Sequence, residues 1–91
     1  MRRAAKVDAN QAEIVKALRS IGCSVQHLHS IGRGCPDILV GYRGRNFLFE
    51  LKVGKGKLTD DEKAWALLWR GQVSTANSFA ECLTVIKDRR I

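Results

Sequence analysis

No apolar run in the sequence approaches the roughly 20 residues that a membrane-spanning helix needs, and the opening Met-Arg-Arg-Ala-Ala-Lys lacks the apolar core of a secretory signal. There is no internal repeat and no low-complexity stretch. Cysteine is scarce: Cys23, Cys35 and Cys82 are odd in number and show no Cys-x-x-Cys spacing, which suits a reducing cytosol rather than a disulfide-built secreted domain. Acidic residues are the minority charge, 9 against 16 Lys and Arg, for a net charge of +7. That excess favours a polyanionic partner, nucleic acid before an anionic membrane surface. What the chain does have is 45% hydrophobic residues in 91, enough for one globular domain with a limited core that dimerisation would help.

The most informative stretch runs from Gly34 to Lys52. Two apolar runs, Ile38–Gly41 and Asn46–Val53, flank a basic, glycine-containing turn at Tyr42–Arg45, which reads as a β-hairpin. A turn centred on Arg43 and Gly44 sets Asp37 opposite Glu50, on one face, with Cβ atoms roughly 4.5–5.5 Å apart. Lys52, two residues past Glu50, shares that face. Two facing carboxylates repel unless something lies between them. A divalent cation resolves the conflict: Mg²⁺ takes oxygen ligands, commonly one or two carboxylates with water and substrate phosphate. Asp37 and Glu50 would supply the carboxylates, and a backbone carbonyl near Leu51 a further oxygen. Lys52 would then position or deprotonate a water, or offset charge developing on phosphate. The alternative is a cross-strand ion pair among Asp37, Lys52 and Glu50 on a solvated face.

Around the hairpin, residues 1–7 are expected to form a mobile basic arm. Asp8 is a good N-cap for a helix to about Ser20, with Ile14, Leu18 and Ile21 as its buried stripe. Glu13 is about 100° from Ile14 on the helix wheel, where it either leans over a sheet edge or is simply solvated. Gly22 ends the helix, Cys23–His29 reads as a strand, and residues 30–34 form a flexible loop carrying Arg33. Beyond the hairpin comes a mobile loop, Gly54-Lys55-Gly56-Lys57. Thr59-x-x-Glu62 is a capping box opening a helix over about 59–70, whose Trp65, Leu68 and Trp69 are expected to pack on the sheet. Glu62 falls near the hairpin's polar patch. Gly71 stops the helix, Gln72–Ala76 is a short strand, and Ser78-x-x-Glu81 opens a last helix with Phe79, Cys82, Leu83 and Ile86 on one side. The order α-β-β-β-α-β-α implies an α/β domain, a mixed sheet flanked by helices.

Gly34-Cys35-Pro36-Asp37, Phe49-Glu50-Leu51-Lys52, Gly56-Lys57-Leu58-Thr59 and the tryptophan-bearing helix together resemble the virus-type replication-repair nuclease (VRR-NUC) domain, a branch of the PD-(D/E)xK nuclease superfamily. The likeness runs from about Glu13 to Ile86 and is to the stand-alone type of phages and bacteria. It implies a cytoplasmic Mg²⁺- or Mn²⁺-dependent DNA endonuclease, with metal-site roles for Asp37, Glu50 and Lys52. It also implies a metal-reaching glutamate on the first helix, for which Glu13 is the matching position. Glu62 departs from the pattern, which often has Gln there. Stand-alone members resemble junction-resolving enzymes, so the implied substrate is branched DNA, such as a four-way (Holliday) junction, bound by a homodimer through shape and phosphate contacts. A non-catalytic DNA-binding module on the same fold is the alternative.

Candidate phosphate contacts are Arg2, Arg3, Arg33, Arg43, Arg45, Lys55 and Lys57. Leu67 points away from the Trp65 face, as a dimer contact or a chance surface residue. Cys23, His27, His29 and Cys35 permit a zinc reading but lack the usual ligand spacing. Trp65 and Trp69 offer base stacking or core packing, and their helical spacing favours the core.

Overall fold

The computed structural model describes residues 3–54 and 56–88, with side chains from Asn10 onward. In chain order it holds helix α1 (Arg3–Ser20), strand β1 (Ser24–His27), a 3₁₀ turn (His29–Ile31), strands β2 (Ile38–Tyr42) and β3 (Arg45–Leu51), helix α2 (Asp60–Leu68), strand β4 (Ser74–Ala76) and helix α3 (Phe79–Ile86). The four strands form one sheet in the order β1-β2-β3-β4. The first three are antiparallel and β4 runs parallel to β3, as the helical crossover through α2 requires. The expected mixed sheet with flanking helices is what forms.

The period of 2 sorts the hairpin. Ile38, Val40, Phe47, Phe49 and Leu51 are buried together on one face, against Ile14, Val15 and Leu18 of α1 and Cys82 and Ile86 of α3. The other face carries Leu39, Leu48 and Glu50, and α2 covers its far end: Trp65 and Ala66 border a void of about 50 Å³ together with Glu50 and Thr75. Glycine matters most at Gly34, which has φ 83° and lies so close to α2 that a Cβ would overlap the Asp61 carbonyl. The loop before Asp37 is thereby seated on the first turn of α2.

Several boundaries differ from expectation. The helix begins by Arg3, so Asp8 lies inside it, and residues 3–7 are helical instead of forming an arm; Met1 and Arg2 fall outside the described residues. Val15 is buried where Ile21 was expected, and Ile21 is exposed because the helix has already ended at Ser20. The first strand stops at His27; Leu28 still donates to the Asp37 carbonyl, and the 3₁₀ turn from His29 then leads the chain away. The largest departure is α2. Its capping box is present, Thr59 accepting from the Glu62 amide, but the helix buries no residue fully. Leu68 and Trp69 are 77% and 46% exposed, and Trp69 stacks on the half-buried Trp65 at 4.7 Å instead of entering the core. The short helix faces the sheet chiefly through Glu62, Trp65 and Ala66.

Candidate active site

The hairpin register holds as read. Ile38 pairs with Phe49 and Tyr42 with Arg45 around a two-residue turn in which Arg43 and Gly44 both have positive φ. Asp37 lies just beyond the end of β2 and is fixed from both sides. Its amide donates to the Phe49 carbonyl at 2.9 Å, and its carbonyl accepts from Leu28 at 2.8 Å. Its carboxylate continues the ladder in place of backbone: Oδ2 accepts from the Leu51 amide at 2.7 Å. Glu50 stands beside it, only 6% exposed. Lys52 Nζ lies 3.6 Å from Glu50 Oε2 and 2.6 Å from Glu62 Oε1. The same Glu62 oxygen accepts the Thr59 amide at 2.8 Å, so one carboxylate both caps α2 and holds the lysine. These groups border an open cleft of about 290 Å³, joined by Asn10 from α1 and Lys57 from the loop after β3. Asn10 Nδ2 donates to the Lys52 carbonyl at 3.4 Å.

Three carboxyl groups, Asp37, Glu50 and Glu62, thus crowd into one cleft of a protein of net charge +7, with Lys52 and Lys57 beside them. Burial, with the Asp37 charge and then the closeness of Glu62 added, pushes Glu50 up to about 9. A carboxyl in this position holds a proton at neutral pH unless another positive charge takes the proton's place. Burial pulls Lys52 down, but its hydrogen bond to Glu62 and the charges of Glu62, Glu50 and Asp37 together outweigh it, and the lysine ends above its ordinary value. Burial would raise Glu62, yet its bonds from Lys52 and the Thr59 amide hold it below the usual carboxylate range. Lys52 and Glu62 are thus the close ion pair, and Glu50 shares that lysine only at 3.6 Å.

The donor set fits a divalent cation. Asp37 and Glu50 would hold it with the Leu51 carbonyl, and water would complete an octahedral shell. Among the described residues no three His, Cys, Asp or Glu side chains gather as a metal cluster, so protein carboxylates alone would not saturate the ion. Glu13 does not join the set. It is exposed on α1 and does not line the cleft, where α1 supplies Asn10.

The expected phosphate contacts scatter. Lys57 is at the cleft. Arg33 is exposed in the loop before Asp37, with φ 56°. Arg43 and Arg45 are at the hairpin tip, about 20 Å from Asp37 at about 3.3 Å per residue. Arg43 lies 5.3 Å from the Tyr42 ring. Arg45 is engaged within the fold: it donates to the Asp88 carbonyl at 2.9 Å and lies over Phe47. The side chain of Arg3 is outside the description, as are Arg2 and Lys55. The zinc reading fails on geometry. Cys23 is buried in the core with Cys82, burial pushing the Cys82 thiol up to about 12, while His27 and His29 meet at Gln11 instead.

Sequence reasoning missed Asn10 and Gln11. The signal was present: Gln11 continues the buried stripe of Ile14, Val15 and Leu18 at helical spacing, and a polar residue on such a stripe stands out. Comparison with protein-family models, with curated proteins and with solved structures returns no match.

Proposed function

We propose that the chain is a metal-dependent DNA endonuclease of the PD-(D/E)xK type, acting as a homodimer on branched DNA such as four-way junctions. The observation that carries the reading is the buried Glu50 carboxyl set against Asp37, with Lys52 beside it, at a cleft in a strongly basic protein. Asp37 and Glu50, with the Leu51 carbonyl, would hold Mg²⁺ or Mn²⁺. The ion would supply a water of lowered pKa and offset charge on the scissile phosphate. Asp37 is immobilised by the Leu51 amide, so it offers its second oxygen in a fixed direction. Lys52 is tethered by Glu62 at the lip, poised to orient the attacking water or to stabilise charge on the phosphoryl oxygens. Lys57 adds a cation where the strand would enter.

One observation favours a second reading. Lys52 is already gripped by Glu62 at 2.6 Å, as in a DNA-binding module whose ion pair is purely structural. Strand cleavage with Mg²⁺ or Mn²⁺ on a labelled four-way junction and on a linear duplex of the same sequence separates the two. Paired nicks in the junction alone, lost in Asp37→Asn and reduced by orders of magnitude in Lys52→Ala, are the expected outcome. Equal cutting of both substrates removes the junction specificity. Binding without any metal-dependent cutting leaves the module.

A further inference from the structure

A cavity of about 430 Å³ lies between α1 and β1, apart from the cleft described above. Lys16 and Arg19 of α1 border it, with His27 at the end of β1 and His29 in the turn that follows; no acidic side chain does. Gln11 forms its inner wall and is 3% exposed. The Gln11 Nε2 lies 2.8 Å from His27 Nδ1 and 3.5 Å from His29 Nδ1, between two rings whose centroids are 5.8 Å apart. The Gln11 amide thus sets the orientation of both rings and leaves Nε2 of each on the far side of the imidazole. Both histidines are solvent-exposed. Arg19 is steadied at the rim by its bond to the Val25 carbonyl at 3.1 Å.

Gln11 Oε1, by contrast, is buried with no hydrogen-bond partner. A leucine would fill that position without the desolvation cost. What the amide adds is the orientation of two imidazoles beside Lys16 and Arg19. That arrangement suits an anion and repels a metal ion.

We propose that this cavity is a phosphate-binding subsite that takes a second backbone phosphate of the nucleic-acid strand held at Asp37 and Glu50; the assignment rests on the DNA reading above. Placement supports it. Leu28, next to His27, donates to the Asp37 carbonyl at 2.8 Å, and the consecutive residues Asn10 and Gln11 border the cleft and the cavity respectively. A strand leaving the cleft towards β1 would meet these donors next.

The test is fluorescence anisotropy of a labelled duplex with the full chain, without divalent metal, across a salt series. The double variant Lys16→Ala/His29→Ala removes two exposed donors. Lys63→Ala removes a cation from the exposed surface of α2 and serves as the control. The double variant is expected to weaken binding about tenfold and to flatten the dependence of log K on log salt by about 0.9, the value for one phosphate contact. Lys63→Ala should stay within about twofold of wild type. Equal effects from the two variants would overturn the subsite, as would unchanged binding in the double variant. A chain that cuts no DNA yet shows the difference keeps the subsite and loses the nuclease reading. A chain that cuts but shows no difference loses the subsite alone.

Discussion

At the residue scale the molecule turns on Glu50. Its period-2 position places it on the outer face of the hairpin, and α2 then closes over it, so a carboxyl is buried beside Asp37 with its one near cation, Lys52 at 3.6 Å, held more closely by Glu62. Its folded-state pKa, about 9, lies above the ordinary 4.5. The folded form therefore binds more protons than the unfolded one between those values, and stability falls as pH rises through that window. Metal-free protein should melt at progressively lower temperature from about pH 5 to pH 9, whereas Glu50→Gln should show no such slope and melt higher than wild type at neutral pH and above. Mg²⁺ competes with the proton, so its stabilising effect on wild type should grow with pH and vanish in the variant. Thermal melts in chelator and in Mg²⁺ check both. A flat wild-type profile would show that Glu50 is ionised without metal and remove the main support for a cation there.

At the element scale, the first turn of α2 joins helix capping to the site. Thr59 accepts from the Glu62 amide, and Glu62 answers with the carboxylate that also holds Lys52. Removing the cap therefore does two things. Thr59→Ala should cost about 1 kcal/mol, or roughly 4–8 °C in Tm for a domain of this size, and should also let the first turn of α2, which carries Glu62, fray. Cleavage is then expected to fall further than stability explains, with Thr59→Ser restoring both. A variant that melts lower but cuts at the wild-type rate would show that α2 supplies only stability. The β2–β3 hairpin plays the complementary role: it is rigid, its register is set by a two-residue turn, and it delivers Asp37 and Glu50 whatever α2 does.

At the scale of the whole molecule, a small domain has left apolar surface uncovered. Leu67 and Leu68 are 84% and 77% exposed, and beside them Trp69 borders an apolar hollow with Leu39 and Leu48 on the outer sheet face. A homodimer is part of the proposed function, and this surface is the place a second copy would cover. Leu67→Lys/Leu68→Lys is expected to shift sedimentation from dimer to monomer at micromolar concentration while leaving the circular-dichroism spectrum unchanged. A wild-type chain that sediments as a monomer would withdraw the dimer and, with it, the symmetry argument for junctions. Among the described residues no helix is long and apolar enough to cross a membrane.

The sequence by itself determined whatever depends on local periodicity. Alternation of side chains fixed the faces of the hairpin, the turn at Arg43 and Gly44 fixed its register, and both capping residues, Thr59 and Ser78, marked where helices begin. Asp37, Glu50 and Lys52 were therefore legible as a group before any coordinates. Only the tertiary structure decided which helix faces look at that group. Rotating α1 by one residue moves a side chain by about 100°, so the choice among Asn10, Gln11 and Glu13 depends on how the whole helix settles on Ile38, Phe49 and Leu51. The structure turns Glu13 to solvent and brings Asn10 to the cleft. Glu62 was likewise visible as a cap, but its second bond, to Lys52, spans two elements and follows from where α2 packs. Period and turn chemistry act within a few residues of chain, whereas docking is settled by surfaces that the chain brings together only when it folds.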